Sequence, residues 1–199
     1  GAFVLANIRG GGEFVGWHEA AMRRNKHKSV DDLLAVVADL HERGHTSAPH
    51  TAIQGGSNGG LIVASAFCRQ PARIGALVCE VPLTDMLHYT ELYAGASWVE
   101  EYGDPADPEM REYLAQFSPY HQLSGSLHYP PAFITTSLAD DRVHPAHALK
   151  FYAKLAALQP DTTWLYAPET GGHTGNGTQE QSADELACLL AFLRQTIGS

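Results

Sequence analysis

The sequence predicts an α/β protein built on a mostly parallel sheet with helices on both faces, and three observations predict it. Short continuous apolar runs, of the kind a strand shows when both faces are buried, alternate with stretches whose apolar residues recur at helical spacing. Such alternation calls for parallel pairing, because a helical crossover returns the chain to the same end of the sheet. One strand-to-helix junction, residues 55–59, reads Gly-Gly-Ser-Asn-Gly, a sharp corner that bears a hydroxyl.

The elements follow in order. Residues 2–8 form a first apolar run that reads as a buried strand, and a glycine-rich turn, 9–12, follows it. Ser29 and Asp32 have the spacing of a capping box; Leu33, Leu34, Val37 and Leu40 then recur at helical spacing until Gly44 supplies a stop. A strand at 51–54, a helix at 58–68 and a strand at 74–80 continue the pattern. From 85 to 122 the chain turns irregular and aromatic, as expected of an inserted region beside a pocket. Regularity returns with a strand at 132–138, a helix at 146–158, a strand at 162–167 and a closing amphipathic helix at 182–197.

With 199 residues, 44% of them hydrophobic and 18% charged, the chain has the composition of one globular domain with a sizeable core. A formal charge of -9 argues against a phosphate-binding surface, because nucleic-acid binding draws its affinity from Lys and Arg; no nucleic-acid partner is expected. No apolar run reaches the roughly 18 residues of a membrane span, so no membrane partner is expected either. A cytoplasmic or periplasmic protein fits. The first residues lack an initiator Met, so the natural N-terminus is expected upstream. Cys68, Cys79 and Cys188 have neither zinc-site nor disulfide spacing and read as buried free thiols.

The sharpest chemical signal is the G-x-S-x-G at 55–59, placed between an apolar strand and a helix of small residues. In such an elbow the serine sits on a strained turn, and the helix behind it points free N–H groups toward a developing oxyanion. A phosphate cradle is the competing reading of this turn and of 9–12, but neither carries the Walker lysine or the G-x-G-x-x-G spacing. A serine hydroxyl needs a base within hydrogen-bond reach and a third group to orient that base. In chain order these should be an acid and then a histidine. Asp140 stands at the end of the strand at 132–138 as the candidate acid, with Asp141 as its rival; chain order does not decide between them, and Asp141, before Pro145, could instead cap a helix. His173, flanked by Gly171 and Gly172 and placed after the last strand, is the candidate base.

These motifs resemble the prolyl oligopeptidase family: GGSNGG around Ser57, SLADDRVHP at 137–145, GGH at 171–173, ANIRGGGEFV at 6–15 and SWVEEYG at 97–103. The resemblance covers nearly the whole chain. It implies an α/β-hydrolase fold and a serine peptidase that acts on short peptides on the carboxyl side of proline, with an acyl-enzyme on Ser57. It assigns Asp140 as the acid and His173 as the base, and it implies no metal and no organic cofactor. The Asn58 N–H would be one oxyanion donor. Arg142 would bind a substrate carbonyl, and Trp98, Tyr102, Leu83 and Val143 would form the proline slot, although plain core packing is the competing reading of Trp98 and Tyr102. The family's second oxyanion donor, its first sheet strands and its β-propeller lie upstream of the matched region. The chain, 1–199, is therefore expected to be the C-terminal portion of a catalytic domain. His144 and the loop GGHTGNGT depart from the family pattern beside the pocket. An esterase, a dipeptidyl or acylaminoacyl peptidase on the same fold, and an inactive interaction fragment remain as alternatives.

Overall fold

The computed structural model describes residues 1–175 and 177–198. Four strands, β1 (Ala52–Gly56), β2 (Ala76–Glu80), β3 (Ala132–Thr135) and β4 (Thr163–Tyr166), form one sheet in the order β1-β2-β3-β4 with every pair parallel. Among the described residues seven α-helices accompany them: α1 (His27–Glu42), α2 (Asn58–Arg69), α3 (Val99–Tyr102), α4 (Pro108–Phe117), α5 (Pro119–Gln122), α6 (Ala146–Leu158) and α7 (Gln179–Ile197). The register sets Gly56 beside Glu80, Glu80 beside Thr135 and Thr135 beside Tyr166. All four strands thus end in one row, and the loops that leave them gather at one edge of the sheet, where α/β folds place their ligands.

Side chains alternate across the sheet and sort the core into two layers. Leu77, Cys79 and Ile134 pack with Leu61 and Phe67 of α2 and Phe151 and Leu155 of α6. Ala76, Val78 and Phe133 pack on the opposite face with Leu189 and Phe192 of α7. Helices therefore cover both faces. α2 is buried almost all round because α1 lies on its outer side through Val30, Leu34 and Val37. Among the described residues, no helix is long and apolar enough to cross a membrane.

Gly44, at φ 70°, ends α1 as expected: its N–H donates to the His41 carbonyl and that of His45 to the Leu40 carbonyl. Four expectations are corrected. Residues 2–8 form no strand and are largely exposed, because no neighbouring strand supplies the ladder partner that a strand requires. α1 begins at His27, ahead of the expected capping box, so Ser29 and Asp32 serve the preceding turn instead. Ser29 donates its hydroxyl to the Arg9 carbonyl at 2.6 Å, and Asp32 accepts from the Arg9 N–H at 2.9 Å and from its guanidinium Nε at 2.8 Å. That guanidinium holds the Asp32 carboxyl below the usual carboxylate range. α7 starts at Gln179, earlier than expected, because the Thr178 side chain accepts from the Gln181 N–H and caps it. Of the three thiols only Cys68 and Cys79 are buried; Cys188 is exposed on α7.

Candidate active site

The site begins at the corner between β1 and α2. Ser57 has φ 55° and ψ -117°, a conformation that residues with a β-carbon rarely adopt. Two backbone bonds hold it there: its N–H donates to the Glu80 carbonyl at 2.8 Å, and its own carbonyl accepts from the Leu61 N–H at 3.1 Å. The corner closes only over glycine. A β-carbon on Gly55 would stand 2.5 Å from the Gly59 carbonyl oxygen, and one on Gly60 would stand 2.7 Å from the Pro82 side chain. Gly59 faces open space, so the tight packing falls on Gly55 and Gly60.

The loops after β3 and β4 bring two further groups to this corner. Nε2 of His173 lies 3.0 Å from the Ser57 hydroxyl oxygen, and its Nδ1 lies 2.9 Å from Oδ2 of Asp140. Oδ1 of Asp140 accepts from the N–H groups of Arg142 and Val143, each at 2.9 Å. Asp140 is 1% exposed, whereas Asp141 faces solvent. The carboxylate, held by two backbone N–H groups, fixes the imidazole: an Nδ1–H donating to Asp140 leaves the Nε2 lone pair to accept from the serine hydroxyl. The His173 loop is tied to the Asp140 loop, since Ser137 donates its hydroxyl to the Thr170 carbonyl at 3.2 Å and the Leu138 N–H donates to Pro168 at 2.9 Å.

A cleft of about 210 Å³ opens beside Ser57. Of the residues singled out from sequence, Ser57, Asn58, Leu83, Trp98, Tyr102 and Arg142 line it. Val143 does not; it is buried at 2%, and its N–H serves Asp140. Asn58 is the first residue of α2, so its N–H has no intrahelical acceptor and remains available beside the serine. Tyr102 donates its hydroxyl to Oδ1 of Asn58 at 3.0 Å and packs edge-on against Tyr89. Burial pushes the Tyr102 phenol above its usual range, which keeps it a neutral donor. Arg142 is exposed and lines the cleft.

Gly10, His18 and Glu101 also line the cleft and were not singled out from sequence. Glu101 accepts from the ammonium of Lys26, which is 1% exposed and lies 5.3 Å from the centre of the Tyr102 ring, and its other oxygen is 3.2 Å from Nε2 of His18. Gly10 lies in the glycine-rich turn at 9–12 and Glu101 is one of two glutamates within SWVEEYG; nothing marked His18 among eleven histidines. His144 stacks near Tyr93, with ring centres 4.3 Å apart, at the border of this region. Arg9 is engaged by Asp32, so the turn at 9–12 presents no free guanidinium to a phosphate. Of the loop GGHTGNGT, Asn176 lies outside the described residues. A larger surface hollow, about 500 Å³, is bounded by Leu190, Ala191, Arg194 and Gln195 of α7.

The model of the prolyl oligopeptidase family matches residues 1–199. The chain is 41% identical to an uncharacterized peptidase of Sinorhizobium fredii, over 99% of this chain and 27% of that protein. It is 37% identical to a prolyl endopeptidase of Elizabethkingia miricola, over 100% of this chain and 29% of that protein. Among solved structures, a post-proline cleaving enzyme from Rickettsia typhi superposes with a TM-score of 0.92 at 37% identity, covering 96% of this chain and 28% of that one. The chain thus spans a little over a quarter of the length of these relatives. A match that runs from the first residue to the last, on a parallel sheet whose loops meet at Ser57, leads to one statement: the chain belongs to the prolyl oligopeptidase family.

Proposed function

We propose that the chain is the C-terminal part of the catalytic domain of a longer serine peptidase, which hydrolyses short peptides on the carboxyl side of proline. The observation that carries this reading is the continuous hydrogen-bonded series Asp140–His173–Ser57 at the edge of a cleft walled by Trp98 and Tyr102. Ser57 attacks the carbonyl carbon of the prolyl residue while His173 takes the hydroxyl proton, and Asp140 stabilises the imidazolium. The Asn58 N–H receives the developing oxyanion, and His173 returns the proton to the leaving amine. Water, activated by the same imidazole, then releases the acyl group.

Trp98 offers an aromatic face, with Leu83 and Tyr102 around it, and such an apolar slot complements a pyrrolidine ring. Arg142, permanently charged and exposed at the cleft, binds a substrate carbonyl through its fork of donors. The second oxyanion donor and a β-propeller that restricts entry belong, on this reading, to the part of the protein upstream of the chain. The relatives' lengths support the presence of further segments, and the printed activities of the Elizabethkingia miricola and Rickettsia typhi proteins support cleavage at proline.

The test is to incubate the full-length protein with a short peptide that holds one internal proline and to locate the cut by mass spectrometry. Cleavage after proline is expected, and Ser57→Ala should lower turnover by roughly 10⁴- to 10⁶-fold. Cleavage with no preference for proline, or an alanine variant that keeps its turnover, would overturn the reading.

A further inference from the structure

Residues 83–88, which follow β2, pack against α5 and α6 and carry a second group of convergent polar side chains outside the Ser57 series. The Asp85 carboxylate is 0% exposed. Nδ1 of His88 lies 3.1 Å from each of its oxygens, and Nδ1 of His121, on α5, lies 3.8 Å from Oδ1. The ammonium of Lys150, on α6, donates to Oδ2. Asp85, His88 and His121 each offer a ligand atom, and the three atoms lie within 4.8 Å of one another.

Lys150 already neutralises Asp85, so charge balance does not require two imidazoles on the same carboxylate. Zinc with nitrogen and oxygen ligands at about 2.0–2.2 Å in tetrahedral array holds those ligands roughly 3.3–3.5 Å apart. The separations of 3.1 and 3.8 Å bracket that spacing. With Oδ1 toward a cation, Oδ2 keeps its bond from Lys150, the kind of outer hydrogen bond that orients a ligating carboxylate. The Ser118 hydroxyl lies 2.8 Å from Nδ1 of His121 and 2.9 Å from the Thr84 carbonyl; a cation at Nδ1 would replace the contact with His121, and Ser118 would keep its bond to Thr84. Both imidazoles are partly exposed, giving the ion an entry path and a fourth position for water.

We propose that Asp85, His88 and His121 form a site for one divalent transition-metal ion of the zinc class, apart from the chemistry at Ser57. The bound ion ties residues 83–88 to α5, and because Leu83 lines the cleft, occupancy stiffens one of its walls. The experiment uses the full-length protein carrying His173→Ala, which removes the carboxylate-paired imidazole of the Ser57 series from competition. After treatment with a chelator it is titrated calorimetrically with zinc chloride. One equivalent should bind at this site. His88→Ala and His121→Ala, each at a partly exposed position that the fold tolerates, should each weaken that equivalent by at least about tenfold. His128→Ala, an exposed imidazole outside the group, should leave it unchanged. Absence of saturable binding, an affinity unaltered in the His88 and His121 variants, or an equal loss in all three variants would overturn the proposal.

Discussion

Ser57 occupies a strained backbone conformation that the glycines around it make possible, and the strain is distributed unevenly. Gly55→Ala would push a β-carbon into the backbone of α2, 2.5 Å from the Gly59 carbonyl, and should destabilise the protein by about 1–3 kcal/mol. Gly59→Ala meets nothing within 4 Å and replaces a poor helix former, so it should be neutral or stabilising by up to about 1 kcal/mol. Urea unfolding of both variants checks this contrast, and equal losses would contradict it. At Trp98 the expected effect is selective. Trp98→Ala should lower kcat/KM after proline about tenfold more than after alanine, since only the ring gains from the aromatic face; equal losses would make Trp98 a packing residue. Ser57 was legible because its motif is local, a hydroxyl between glycines at a strand-to-helix junction. Which of Asp140 and Asp141 turns inward was not legible from order alone, since burial and the two N–H groups of the following residues separate them. His18 and Lys26 meet Glu101 only through tertiary contact, which no spacing along the chain encodes.

At the scale of elements, alternation of apolar runs located the four strands and the main helices, because parallel strands buried on both faces leave a continuous signal. The same signal misled at residues 2–8, where a strand-like run has no ladder partner, and at Ser29 and Asp32, where capping-box spacing serves a bond to Arg9 instead. α6 carries a group that the sequence does not advertise. His147 in its first turn is buried and accepts at Nδ1 from the N–H groups of Thr84 and Asp85, joining α6 to the residues that follow β2. Burial pushes its pKa down to about 4 from an ordinary 6.5. The unfolded chain therefore binds the proton more readily than the folded one between these values. Stability from this group is complete above pH 6.5 and is lost as pH falls toward 4, by about 3 kcal/mol. His147→Asn, whose Oδ1 can accept the same two N–H groups, should flatten the pH dependence of the unfolding free energy over that window. An unchanged slope would show that His147 is not the group responsible.

For the whole molecule, the sheet is open at β1, which pairs only with β2 among the described residues. Phe3, Leu5, Phe14 and Val15 are exposed beyond half, as are Leu186 and Leu190 on α7. An open sheet edge and exposed large apolar side chains are each a liability unless something covers them, which fits the proposal that the chain is part of a larger domain. The α/β class was legible from the alternation of strand and helix signals, whereas a β-propeller leaves no trace in these residues and enters only through the family. The central claim, that a proline-directed acyl transfer runs through Ser57, is tested most directly by covalent trapping. Full-length protein treated with a fluorophosphonate carrying a prolyl group is digested, and the modified residue is located by mass spectrometry. The account predicts a single adduct, on Ser57, that disappears in Ser57→Ala and forms far more slowly in His173→Ala; an adduct on any other serine, or one that persists in the Ser57 variant, would contradict it.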